Sequence, residues 1–351
     1  MRVVVVGASG NVGTSVVRAL GADDRVTEIT GVVRRLPDWT AAKTTWVSAD
    51  VAADPLEPIF AGAAAVIHLA WLIQPSRDEA ELARVNVHGS QRVFEAAAAS
   101  GAGALVYASS VGAYSRGPKD RAVDESWPTD GISTSFYSRH KAATERQLDK
   151  VERANPRLRV VRLRPGLIFK HDAGTQIRRY FVGPFLPSAL VRPDLIPVVP
   201  RTPGLRFQAL HTDDVAEAYR LAALEDRARG AYNVAAEPVL DTDELADALG
   251  ARPVPVPARV LRAAATVSWK ARLQPTPPGW VDLGLGVPIM DTGRIRRELG
   301  WSERVSARDA LLELIAGIRE SGGKATPPLD PKSSGPLRIR ELLTGIGKRN
   351  P

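Results

Sequence analysis

The stretch Val3-Val4-Val5-Val6-Gly7-Ala8-Ser9-Gly10-Asn11-Val12-Gly13 decides the fold. Four consecutive valines form the continuous β-branched run expected of a strand buried on both faces. Directly after them, Val12, Val16, Val17 and Leu20 fall on one face of a helix. Three glycines spaced three apart join the two elements. Gly7 permits the tight turn, Gly10 lets the backbone approach a pyrophosphate with no Cβ in the way, and Gly13 lets the helix pack closely on the strand. A pyrophosphate held there meets free N–H groups and the positive end of the helix dipole. Three glycines alone are a weak signal. The strand before them and the helix after them supply the context that a dinucleotide-binding turn requires.

Outward from this turn, short apolar runs alternate with helical patterns. The runs are Ile29–Val33, Thr45–Val47, Ala65–Leu69, Ala104–Ala108 and Leu158–Leu163, and helical stretches such as Val85–Ala99 and Phe136–Val151 lie between several of them. The alternation predicts an α/β, Rossmann-type doubly wound parallel sheet, with a smaller, discontinuous substrate-binding lobe. After Pro165 the texture changes. Residues 183–204 hold six prolines, and 251–257 and 275–288 are again proline-rich. Periodic structure returns at Arg206–Leu210, at about Asp213–Leu224, and in a last helix from about Ala307 to Arg319. The expected division is 1–165 plus about 205–235 for the dinucleotide-binding domain. About 166–204 plus 236–318 would form the substrate lobe, and 319–351 a basic tail, either flexible or docked by its amphipathic end.

The second run ends Val33-Arg34-Arg35, about 20 residues past the glycines. An acid at this place would bind a ribose 2′-hydroxyl. Two arginines suit a 2′-phosphate instead, through charge-assisted hydrogen bonds. The expected cofactor is therefore NADP, with NAD as the alternative. Tyr137 and Lys141, in Tyr137-Ser138-Arg139-His140-Lys141, are four apart and share a helix face. A tyrosine, with an ordinary pKa near 10, is a poor base at neutral pH, and a neighbouring cation favours its phenolate. Tyr137 would then exchange a proton with a substrate oxygen while hydride moves. Lys141 would tune Tyr137 and hold the nicotinamide ribose. Ser109-Ser110 ends the run Leu105–Ala108 at the carboxyl edge of the sheet, where α/β folds bind ligands, and offers a hydroxyl to polarise that oxygen.

Taken together, these residues resemble the extended short-chain dehydrogenase/reductase superfamily, in its NAD-dependent epimerase/dehydratase-like family, over roughly residues 1–318. The turn Gly7, Ser9, Gly10, Asn11, Val12, Gly13 has the extended spacing. Asp50-Val51 matches the acid–aliphatic pair used around adenine. His68-Leu69-Ala70 matches the strand end under the cofactor, and Asn86 lies in the similar helix-start pattern Val85-Asn86-Val87-His88-Gly89. Tyr137 and Lys141 match the active-site motif. Ser110 aligns with the catalytic hydroxyl because it lies four before Tyr114, with Ser109 as the alternative. Arg164-Pro165-Gly166, followed by Ile168, resembles the loop that contacts the nicotinamide amide. His211–Ala216, Ala231–Val234 and Leu299-Gly300-Trp301 resemble later landmarks. The resemblance also implies a homodimer through helices corresponding to Val85–Ala99 and Phe136–Val151.

Departures from the pattern bear on the substrate. Ser109-Ser110-Val111 stands where sugar-nucleotide dehydratases carry Thr-Asp-Glu, which argues against 4,6-dehydration. Leu167-Ile168-Phe169-Lys170-His171 replaces the usual continuation of sugar-nucleotide epimerases. Trp71, Leu72, Phe181, Phe185, Trp269 and Trp280 are candidates to line an apolar pocket. Trp71, Ser110 and Tyr137 are the candidate substrate contacts. The expected activity is hydride transfer at a secondary alcohol or ketone carbon. The alternatives are a nucleotide-sugar epimerase with retained cofactor and a non-catalytic dinucleotide sensor.

Composition narrows the remaining classes. The 351 residues are 44% hydrophobic and 25% charged, which excludes a disordered or collagen-like chain. Zero cysteines remove disulfide frameworks, thiolate metal sites and cysteine nucleophiles. The five histidines, His68, His88, His140, His171 and His211, show no ligand spacing, so no metal is expected. The longest nearly apolar run, Ala61–Ile73, contains His68 and is short of the roughly 20 residues of a membrane span. The valine run meets Gly7 too soon for a secretion signal, so a cytoplasmic location is expected. The formal net charge is +8, and the stretch 324–351 carries six Lys and Arg against two acids. Arg294, Arg296 and Arg297 lack the aromatic partners of a nucleic-acid surface, and a small molecule is the expected partner. The tail ends in an amphipathic segment with Ile339, Leu342, Leu343 and Ile346.

Overall fold

The four valines are buried because helices cover both faces of their strand. Val3 and Val5 point into one cluster with Val16, Val17 and Leu20, while Val4 and Val6 point into another with Phe60, Val93, Phe94 and Leu148. Burying each valine contributes roughly 1.5–3 kcal/mol. The computed structural model describes residues 1–185, 188–332 and 346–347.

Around Arg2–Val6 lies a seven-stranded sheet. Its order is Gly230–Val234, Arg159–Pro165, Ala104–Ala108, Ala65–His68, Arg2–Val6, Glu28–Val33 and Thr44–Ser48. Every neighbouring pair is parallel. The strand order reverses between Arg2–Val6 and Ala65–His68. This switch point opens a crevice at the carboxyl ends of the strands. The helices Asn11–Gly21 and Thr212–Leu224 pack side by side on one face. Ser90–Ala99 and Phe136–Ala154 cover the other.

A three-stranded sheet, Ala236–Leu240, Phe207–His211 and Leu167–Phe169, leaves the end of the main sheet and carries the second lobe. The last helix, Ala307–Glu320, lies against it. The chain then returns across the molecule. Gly322 N–H donates to the Gly317 carbonyl at 2.7 Å, and Thr326 and Leu329 are buried. Ile339, Leu342 and Leu343 of the amphipathic tail segment lie outside the described residues. The proline-rich stretches contain more order than their composition suggests. Val198–Arg201 pairs in parallel with Arg252–Pro255, and short helices occupy Ala258–Lys270 and Gly279–Gly286. No helix among the described residues is long and apolar enough to cross a membrane.

Candidate active site

The glycine turn is built by close approach. Gly7 has φ +85°, and a Cβ there would lie 2.7 Å from the Ala70 amide nitrogen. A Cβ at Gly13 would lie 2.3 Å from the Gly7 carbonyl oxygen. Gly10 precedes the helix Asn11–Gly21 and offers no side-chain cap. The first helical amides therefore stay available to an anion. From behind, Lys170 Nζ donates to the Asn11 carbonyl at 2.7 Å and to Thr14 Oγ1 at 2.8 Å. Burial pulls this lysine down to about 8. Nothing in the local sequence marks Lys170 as a support of the turn, because its partners lie more than 150 residues away.

A cleft of about 710 Å³ runs from this turn to the second lobe. Of the sequence-predicted residues, it collects Gly7, Ser9, Gly10, Asn11, Val12, Gly13, Arg34, Arg35, Asp50, Val51, Leu69, Ala70, Trp71, Ser110, Tyr137, Lys141, Pro165, Gly166 and Ile168. Arg34 and Arg35 are exposed at the end of the second strand. Burial, then the charges of Arg34 and Arg179, push the Arg35 cation below its usual range. Arg179 arrives there from the second lobe, a neighbour that sequence spacing does not show.

Asn86 is placed differently. It is fully buried, and its amide clamps the backbone of Leu72: the Leu72 N–H donates to Asn86 Oδ1 at 2.7 Å, and Nδ2 donates back at 2.8 Å. It positions the loop after Ala65–His68 rather than lining the cleft. His68 is also buried and bonds Ser90 Oγ at 2.9 Å.

At the far end of the cleft, the helix Phe136–Ala154 begins with Ser135 capping the Ser138 amide. This start aims Tyr137 toward Ser110. Burial pushes the Tyr137 phenol up to about 12, and hydrogen bonding with Ser110 opposes the shift. Lys141, expected to tune this phenol, has its nearest partners elsewhere. Its ammonium donates to the Ala108 carbonyl at 2.6 Å and stands 3.5 Å above the Trp71 ring, but 5.8 Å from the Tyr137 ring centre. Burial lowers Lys141 well below its usual range, opposed by the charge of Glu145. Gly112 is a further requirement that the sequence reading missed. A Cβ there would lie 2.8 Å from Tyr137 Cε1 and 3.4 Å from Ser110 Oγ. Its signal is its place two residues past Ser110, whose Oγ accepts its N–H at 3.0 Å.

The two serines separate by environment. Ser110 faces the phenol, whereas Ser109 donates to the Glu145 carboxylate in a buried network. Arg164 grips Glu145 with Nε at 2.8 Å and Nη2 at 2.6 Å, and donates to Tyr114 Oη at 3.0 Å. Tyr114 Oη in turn donates to Asn233 Oδ1 at 2.6 Å. Burial works against the Glu145 carboxylate, but Arg164 outweighs it and holds the group below its usual range. Arg164, read from the sequence as part of the nicotinamide loop, and Tyr114, read only as an alignment mark for Ser110, thus brace the floor beneath Ser110.

Around Tyr137 the walls are apolar. Trp280 lies 4.9 Å and Trp71 5.9 Å from its ring, and Phe181 lies 5.0 Å from Trp280. Leu72, Phe207, Leu283, Val287 and Met290 add to the apolar lining. Gln208, also in the lining, is turned onto the Met290 backbone in both directions, at 3.0 and 2.7 Å. Trp71 Nε1 is buried with no hydrogen-bond partner among the described residues. Phe185 and Trp269, also expected in the pocket, lie away from it: Phe185 is 57% exposed, and Trp269 carries Arg77 above its ring at 4.3 Å.

Comparison with known proteins agrees with this fold. Residues 3–235 match the family model described as NAD dependent epimerase/dehydratase family. An uncharacterized protein of Mycobacterium tuberculosis is 26% identical over 322 residues, covering 91% of this chain and 30% of its own. The chain thus spans less than a third of that relative's length. A sterol-4-alpha-carboxylate 3-dehydrogenase, decarboxylating, from Candida albicans is 37% identical over 86 residues, 24% of each chain. Among solved structures, a UDP-glucose 4-epimerase from Thermus thermophilus, in complex with NAD, superposes with a TM-score of 0.65. It is 22% identical and covers 91% of this chain and 99% of its own, a likeness of fold. With the glycine turn, the parallel sheet and the matched span in agreement, the chain belongs to the NAD dependent epimerase/dehydratase family.

Proposed function

We propose that the protein is an NAD(P)-dependent oxidoreductase acting at a secondary alcohol or ketone carbon of an apolar substrate. The observation that carries this reading is the convergence of Ser110, Tyr137 and Lys141 at the apolar end of a cleft whose other end is the glycine turn. A dinucleotide suits that cleft because Gly7 and Gly13 leave no room for a Cβ and the helix start beyond Gly10 is uncapped. The amides after Gly10 would hold its pyrophosphate, Asp50 and Val51 its adenosine, and Pro165, Gly166 and Ile168 its nicotinamide end. Bound there, it supplies or accepts the hydride.

The chain's own groups handle the oxygen. In the reducing direction, Tyr137 Oη gives its proton to the substrate oxygen, and Ser110 Oγ–H donates a hydrogen bond to the same atom. A phenol raised to about 12 is fully protonated at neutral pH, as a proton donor must be. Lys141, already hydrogen-bonded to Ala108, is positioned for the ribose and is the nearest source of positive charge when Tyr137 ionises. Trp71 and Trp280 exclude water from the phenol.

NADP is the preferred form in this reading. Arg34 and Arg35, with Arg179 close by, gather positive charge where a 2′-phosphate would sit. The aromatic and aliphatic side chains around Tyr137, Trp71, Phe181, Trp280 and Leu283, favour an apolar carbonyl compound. The name of the Candida albicans relative, a 3-dehydrogenase of a sterol carboxylate, points the same way.

Exchange of Tyr137→Phe tests the assignment. Turnover of an apolar ketone should fall by about 10²–10⁴-fold. The Kd for NADPH should stay within about twofold and remain below that for NADH. Turnover near that of the wild type would remove Tyr137 from the mechanism, and tighter NADH binding would remove the 2′-phosphate role of Arg34 and Arg35.

A further inference from the structure

One helix of the second lobe turns its apolar stripe outward. Ala258–Lys270 runs for 13 residues, and none of them is buried. Val260, Ala263, Ala264 and Val267 recur at i, i+3, i+4 and i+7, the stripe that a helix ordinarily turns to a core. All four are exposed here, Val260 by 50% and Val267 by 67%. Val254 just before the helix and Leu273 just after it extend the patch, at 42% and 54%.

Charge surrounds this stripe. Residues 251–273 contain Arg252, Arg259, Arg262, Lys270 and Arg272 and no acid at all. Among the described residues, only Arg262 is matched from outside the segment, by Asp282 at 2.9 Å. Arg259, Lys270 and Arg272 are exposed on the same lobe surface. At the helix's carboxy-terminal end, Arg77 stands over Trp269 and its Nε donates to the Ile346 carbonyl at 2.9 Å. That contact lies on the side of the helix away from Val260 and Val267, so it leaves the stripe uncovered.

We propose that this face docks on an anionic lipid surface. The stripe Val260–Val267 would enter the headgroup boundary, and Arg259, Lys270 and Arg272 would meet lipid phosphates. A second copy of the chain presenting this face would set five cations against five. A nucleic acid would gain nothing from aliphatic side chains, and the one large aromatic ring, Trp269, is already covered by Arg77. A bilayer accepts both halves of the pattern, the apolar stripe and the cationic border. The position has a consequence for the cleft. Ala258–Lys270 packs on Gly279–Gly286, whose Trp280 and Leu283 line the apolar end of the cleft. Docking would bring that end toward the membrane, where apolar molecules partition. The inference stands on the surface alone and does not depend on the reaction assigned above.

The test is sedimentation of the full chain with lipid vesicles. One set is phosphatidylcholine alone, and the other carries about a quarter phosphatidylglycerol. The chain should sediment with the anionic vesicles and much less with the neutral ones. Raising salt to about 1 M, where the Debye length is about 3 Å, should weaken the binding. The pairs Val260→Glu with Val267→Glu, and Arg259→Glu with Lys270→Glu, should each lower partitioning by about tenfold or more. Both pairs change exposed positions, so melting temperature and NADPH affinity should match the wild type. Absence of binding to the anionic vesicles overturns the proposal, as does binding that neither pair alters. A concentration-dependent dimer in vesicle-free sedimentation, abolished by Val260→Glu with Val267→Glu, would assign the face to a second copy and equally overturn it.

Discussion

Acid should destabilise this protein through His68, by an amount set by where the ring lies. His68 ends the strand that passes beneath the cleft, packed between Tyr107 and Phe94 at 5.9 and 5.8 Å. Burial, and then the charge of Lys141, hold its imidazole down to about 3, against an ordinary value of 6.5. The folded protein keeps the ring neutral, whereas the unfolded chain takes up a proton below about 6.5. The stabilisation is therefore complete above pH 6.5 and is lost as pH falls from 6.5 toward 3. Within that window each pH unit removes about 1.4 kcal/mol, so moving from pH 7 to pH 5 costs about 2 kcal/mol through this group. For a chain of this length, that corresponds to about 3 °C in Tm. His68→Gln removes the titration and keeps a donor for Ser90. Thermal melts of both proteins at pH 7 and pH 5 measure the effect as a double difference, which cancels the carboxylates common to both. The wild type should lose about 3 °C more than the variant. Equal losses would refute the argument that His68 stays neutral in the fold.

Two further perturbations probe the floor and the turn of the cleft. Glu145→Gln leaves the buried Arg164 without its anion and should cost about 3–5 kcal/mol in urea denaturation. Ser109→Ala, which removes one hydrogen bond to the same carboxylate, should cost about half of that or less. Equal losses would show that Arg164 does not depend on Glu145. Gly13→Ala places a Cβ 2.3 Å from the Gly7 carbonyl and must displace the turn. NADPH affinity, followed by fluorescence titration, should fall by about tenfold or more. An unchanged Kd would mean that the turn is not where the dinucleotide binds.

The parts of the site that were legible in the sequence are those whose signal is local. The glycine turn reads directly, since Gly7, Gly10 and Gly13 act within one strand–helix junction. Tyr137 and Lys141 read as a pair because one helical turn joins them. Ser110 and Ser109 are indistinguishable as letters. They part only when the fold sets Ser109 against Glu145, 36 residues on, and Ser110 against Tyr137. Asn86 looks like a cofactor contact by its motif, yet its amide is consumed by Leu72. Phe185 and Trp269 have the composition of pocket residues, but Phe185 is exposed and Trp269 packs under Arg77 away from the cleft.

The sequence by itself determined the α/β class, the parallel sheet and the glycine turn. Each rests on periodicity and spacing within about 20 residues, which backbone geometry converts into structure without outside help. Tertiary structure decided the electrostatics. It buried Lys141 over Trp71 and raised Tyr137 where neighbouring letters suggested the opposite, because desolvation depends on what the whole fold packs around a group. It also brought Lys170 under the turn and the charge of Arg179 to bear on Arg35, couplings that no local pattern encodes. And it left Val260 and Val267 facing outward on a helix whose apolar stripe, read as letters alone, belongs in a core.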